Sequence, residues 1–196
     1  MAMRTPTPLL RDLADVGVHV GDLWDLVNTD ATYRAAVPVL LDWLRHADDR
    51  VPSQESAQIK EGLLRALTVR EARPAAAPEI IRQFREIHDP LVRWAAGNAL
   101  SVVADDSVFD ELASLVRDTR YGTARQMIVQ GLGRSKDPRA PGLLIGLLPD
   151  DDVVIHALNA LARVKAPGAR AAVTELLGHP RVVVRKTAEK ALKKLP

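Results

Sequence analysis

The chain has 196 residues, 47% hydrophobic, 27% charged and 4% aromatic, with no cysteine and a formal net charge of +2. At about 150 residues per domain, that length suits one domain or one repeat array, and the apolar share excludes wholesale disorder. The missing cysteine excludes a disulfide scaffold, an iron–sulfur or thiolate zinc site and a cysteine nucleophile.

With only 3 Trp, 2 Tyr and 2 Phe, the core must be built from Leu, Val, Ile and Ala, a composition that favours helices over sheets. No apolar run reaches the roughly 20 residues of a membrane span. The start of the chain, Arg4 with Pro6 and Pro8, lacks the apolar stretch of a secretory signal. The expectation is a cytoplasmic, all-α protein with no membrane attachment.

In chain order, residues 1–30 read as an N-terminal cap, because LLRDLADVG and VGDLWDLVN each suit a short helix, with Trp24 facing inward. From residue 31 to 196 two kinds of helix alternate. The first kind carries apolar anchors at Leu44, Phe84, Val116, Leu148 and Leu177, and three of its members open on a proline, Pro38, Pro78 and Pro141. Proline is tolerated there because first-turn N–H groups have no intrahelical partner. The second kind holds five nine-residue strings that align without gaps: Ile59–Leu67, Val92–Leu100, Ala124–Leu132, Val153–Leu161 and Val184–Leu192. Their closing leucines recur at intervals of 33, 32, 29 and 31. Positions 1, 5, 8 and 9 of each string are apolar or small, which is one face of a helix. Asp- and Pro-rich turns separate the elements.

The run Asp89, Pro90, Val92, Arg93, Ala96, Ala99, Leu100, repeated in phase with the other strings, resembles short HEAT-type repeats of the phycobilisome-lyase-like variety. The resemblance covers residues 31–196. It implies a right-handed α-solenoid of about five helical hairpins, continuous with the cap and acting as a non-enzymatic protein-binding scaffold. It also implies that the second helix of each hairpin lines the concave side. Those helices are expected to begin near Thr32, Ala75, Ser107, Pro138 and Pro167, and their polar residues Arg34, Asp42, Glu79, Arg82, Asp110, Ser114, Arg117 and Glu175 are the candidate contacts. In resembling repeats the arginine at the second string position reaches an acidic residue in a turn. Arg93, Arg125 and Arg185 hold that position here, with Asp89 the nearest candidate for Arg93.

No residue pattern requires a cofactor, a metal or an enzyme. His19, His46, His88, His156 and His179 share no i, i+4 spacing, and no His-Glu step occurs. Asp150, Asp151 and Asp152 read as a helix N-cap rather than a cation loop. Gly131 reads as a close helix crossing and Gly133 as a C-cap. Trp94 stands off the apolar stripe and reads either as a contact residue or as packing on the adjoining hairpin. Charge is uneven: residues 1–133 carry 15 Lys/Arg against 19 Asp/Glu, and residues 134–196 carry 12 against 6. Arg181, Arg185, Lys186, Lys190, Lys193 and Lys194 concentrate that excess, as a solvated end cap or as a binding patch. The expected partner is a protein bound by a monomer. The alternative is a nucleic-acid-binding HEAT-like protein using the basic C-terminal repeats, which the lack of stacking aromatics there disfavours.

Overall fold

A computed structural model describes residues 5–196; Met1 to Arg4, including the Arg4 of the secretory-signal argument and the start of the expected cap, lie outside the described residues. Every regular element among the described residues is helical, as the Leu- and Ala-rich composition requires. No helix among them is long and apolar enough to cross a membrane. They form two compact units, up to Ala104 and from Asp105.

The N-terminal unit contains α1 (Thr7–Asp15), α2 (Leu23–Val27), α3 (Val37–Arg45), α4 (Ala47–Arg50), α5 (Ser53–Ala66), α6 (Ala77–Glu86) and α7 (Pro90–Val103). Both short helices expected before residue 30 form. Asp22 opens α2 by accepting from the Trp24 N–H, and Asp25 returns a bond to the Asp22 N–H, a reciprocal cap. Leu23 and Leu26 point inward and α2 lies on α5. Trp24 does not fill that interior as expected: it is half-buried, with the Arg65 guanidinium 5.8 Å from its ring. The indole that is buried is Trp43 of α3, whose Nε1 donates to Asp12 of α1 at 2.7 Å.

The C-terminal unit contains α8 (Phe109–Arg117), α9 (Gln126–Leu132), α10 (Ala140–Gly146), α11 (Val154–Val164), α12 (Ala169–Glu175) and α13 (Val182–Leu192). Pro38, Pro78 and Pro141 lie in the first turns of α3, α6 and α10. The five strings fall on α5, α7, α9, α11 and α13, and every stripe position is buried except Gly131 and Leu192, which are half-buried. String helices stack in succession within a unit, α5 on α7 and then α9 on α11 on α13. Small stripe residues let those backbones approach.

The anchor helices start later than expected, at Val37, Ala77, Phe109, Ala140 and Ala169, because 3-10 turns or tight turns precede them. Leu177 is not a buried anchor. The chain tightens into a 3-10 turn at Leu176–Gly178, which rotates Leu177 out to 38% exposure, and Val173 fills the interior instead. Gly133, the C-cap of α9 as expected, also lies hard against α11: a Cβ there would sit 2.9 Å from Ala160 Cα. Gly133→Val is therefore expected to cost about 1–3 kcal/mol by overpacking, read as a lowered urea midpoint at unchanged slope.

Candidate functional site

The string arginines do the same job in both units. Arg93 donates to the Phe84 and Ile87 carbonyls, Arg125 to those of Val116 and Gly122, and Arg185 to those of His179 and Pro180. Each guanidinium thus closes the carbonyls left open where the preceding helix ends and turns. Asp89, expected to pair with Arg93, instead accepts from the Leu91 and Val92 N–H groups at the start of α7.

Arg125 goes further. It has no exposed surface, and its Nη1 lies 2.7 Å from an Asp150 carboxylate oxygen; Nη2 lies 3.5 Å from Asp152. The ladder from one hairpin to the next continues through Asp151, within 3.4 Å of His179 and 3.5 Å of Arg181, and through Gln126, which donates to the Asp152 carbonyl. Asp150–Asp152 is therefore not the N-cap of α11, which has no side-chain cap at Val153. Its carboxylates meet the cations of neighbouring hairpins. Elsewhere in the unit, Asp106 accepts from Ser135 and from the Lys136 N–H, and Asp110 pairs with Arg139 at 2.6 Å.

The expected contact residues separate into bound and free groups. Glu79 is buried at 8% and held by Arg45, Arg82 and Gln83, so it ties α3 to α6 and offers no open carboxylate. Burial alone would raise its pKa; hydrogen bonds from Arg82 and Gln83 outweigh that and hold it below the usual carboxylate range. Arg82 also pairs with Glu86. Asp42 pairs with Arg50 at 2.7 Å and with His46. Ser114, Arg117 and Glu175 are exposed. Arg34 lies on the 3-10 turn Arg34–Ala36 before α3, not on the helix itself.

Trp94 is half-buried. Of the basic residues near the C-terminus, Arg181 and Arg185 have the partners named above, whereas Lys186, Lys190, Lys193 and Lys194 are exposed. His156 on α11 is half-buried, its Nδ1 buried with no partner, and desolvation lowers its pKa from the ordinary 6.5. A histidine with a depressed folded pKa stabilises the native state fully above the unfolded value and loses that contribution as pH falls through the folded one. His156→Gln should flatten the acid side of a stability–pH profile below about pH 6.5, measured by urea unfolding at each pH.

One cleft of about 640 Å³ opens in the N-terminal unit, between the 27–34 loop and the segment after α5. Leu26, Val27 and Val69 give it an apolar side, while Arg34, Arg65 and Arg70 bring three guanidinium groups to it. A smaller cleft of about 380 Å³ adjoins it across Thr29, Thr32 and Tyr33. Arg65 is fixed by Glu61 at 2.7 Å and by the Trp24 ring. Arg34 and Arg70 are exposed, and their guanidinium groups have no hydrogen-bond, ion-pair or ring partner among the described residues. Tyr33 spends its hydroxyl on the Ala66 carbonyl, and burial, with Glu71 nearby, pushes its pKa up to about 12. Sequence reading placed Arg34 on a groove with Asp42 and passed over Arg65 and Arg70. No periodic signal links the three, since the end of α5 and two separate 3-10 turns bring them together.

No family model, curated protein or solved structure matches this chain.

Proposed function

We propose that the hairpins continue one right-handed HEAT-like α-solenoid, and that the chain is a non-enzymatic scaffold binding a protein along its curved face. The observation that carries this reading is the division of labour between helices. String helices are buried on their apolar stripe and stack on one another, whereas anchor helices keep an outer face with both signs of charge, including Ser114, Arg117 and Glu175. An array whose repeats contact only their neighbours leaves such a face free to vary. Position 6 of the strings is buried at Leu64, Gly97, Val129 and Leu158 and is the exposed Glu189 in the fifth string.

The mixed charge suits a protein surface better than a polyanion track, which needs cations alone. Arg117→Glu combined with Glu175→Lys should leave the melting temperature unchanged, because neither side chain has a partner among the described residues. The double variant should also fail to retain proteins captured by the wild type from host lysate. Equal retention by both would overturn the face. Small-angle scattering with a compact, near-spherical profile would overturn the solenoid.

A further inference from the structure

We propose that the cleft beside the 27–34 loop binds a small organic anion, with one carboxylate or phosphate group on an apolar body. This inference is independent of the scaffold reading. The site is built from two walls. Arg34 comes from the 3-10 turn before α3, and Arg70 from the 3-10 turn Arg70–Ala72 after α5, so the two guanidinium groups approach from separate elements. Neither is neutralised by a carboxylate among the described residues, although Asp30 and Glu71 line the same cleft. Arg65 is the preset member, held by Glu61 and Trp24. Guanidinium forks match carboxylate and phosphate oxygens in pairs, which an ammonium group does not.

Charge and shape select the ligand class. With Arg65 already paired to Glu61, Arg34 and Arg70 are the guanidinium groups left to receive an anion, and the Asp30 and Glu71 carboxylates in the same lining favour a monoanion over a polyanion. Leu26, Val27 and Val69 offer apolar surface to the remainder of the ligand. A volume of about 640 Å³ lies in the ~300–1,000 Å³ range of small-molecule sites. Tyr33 stays protonated and neutral at neutral pH, so it adds no repelling charge.

Calorimetric titration of the full chain with benzoate, phenyl phosphate and inorganic phosphate tests the site. Saturable one-site binding of an aromatic anion is expected, at least tenfold tighter than inorganic phosphate; which of the two aromatic probes binds identifies the oxyanion. Arg34→Gln with Arg70→Gln should weaken it at least tenfold without moving the melting temperature, and Lys186→Gln with Lys190→Gln should leave it unchanged. Methyl chemical shifts of Leu26, Val27 and Val69 in the wild type should move on titration, a readout that needs no variant. Three results would overturn the proposal: no saturable binding by any probe, binding that survives loss of both arginines, or an equal loss in the lysine variant.

Discussion

Replacing Arg125 by alanine is expected to destabilise the C-terminal unit by about 3–5 kcal/mol, the range for removing one member of a buried ion pair. The guanidinium has no exposed surface and is held on several sides: the Val116 and Gly122 carbonyls each 2.9 Å away, Asp150 at 2.7 Å and Asp152 at 3.5 Å. The carboxylates are not the main source of the loss, because the Asp150 and Asp152 side chains keep 21% and 46% of their surface in water and can rehydrate. The carbonyls cannot do so as easily, and each buried polar group left without a donor costs about 1–3 kcal/mol. A cavity the size of the lost side chain adds to that. Arg125→Lys should recover only part of the loss, since an ammonium on a flexible stem cannot reach carbonyls and carboxylates in several directions at once. Urea unfolding followed by circular dichroism measures both variants. A loss below about 1 kcal/mol for the alanine variant would show that the network acts like an exposed ion pair.

Much of the architecture was legible because helical periodicity is a local property. The strings needed only the spacing of Ile59, Leu63, Ala66 and Leu67 and its four echoes to locate their helices, and Pro38, Pro78 and Pro141 mark first turns for a reason that sequence alone carries. Misreadings arose where a side chain's fate depends on residues far along the chain. Arg125 was recognisable as the counterpart of Arg93, but its complete burial depends on Asp150 and Asp152, one hairpin on. The same dependence hid Glu79, polar by type yet enclosed by Arg45, Arg82 and Gln83. Leu177 kept the anchor interval but lost its phase when the helix tightened into a 3-10 turn. The cleft is the extreme case, since Arg34, Arg65 and Arg70 belong to no common repeat position and meet through two 3-10 turns and the end of α5.

Position 2 of the strings explains why hairpins with short connections hold together at their turns. A helix that stops abruptly leaves its last carbonyls without intrahelical donors, and a turn of a few residues cannot shield them from the next helix. An arginine one residue into the string reaches back six to nine residues, as Arg93 and Arg125 do, and supplies donors to those carbonyls. Val154 replaces the arginine in the fourth string, and there backbone N–H groups close the end of α10 instead: Leu147 donates to the Leu144 carbonyl, Leu148 to that of Ile145 and Asp150 to that of Leu147.

Trp43→Ala should cost the N-terminal unit about 3–5 kcal/mol, the range for truncating a large buried aromatic. Trp43 is 3% exposed, and besides its packing it makes a polar bond that no aliphatic core residue can make. Its Nε1 donates to Asp12 of α1 at 2.7 Å, while the Arg50 guanidinium lies 4.9 Å from its ring. Trp43→Phe separates the two contributions. It keeps an aromatic plug in α3 but strands the Asp12 carboxylate, and a hydrogen bond to a charged group is worth about 1.5–3 kcal/mol. Because that bond joins α1 to α3, the loss should be local before it is global. Amide exchange at Leu9 and Leu13, which α1 buries, should accelerate in the Phe variant well before exchange in α5 and α7 responds. Fluorescence from Trp24 and Trp94 remains available to follow unfolding of the rest of the unit. If exchange in α1 is unchanged by Trp43→Phe, the indole–carboxylate bond does not hold α1 in place, and the packing of Leu9 and Leu13 must do so alone.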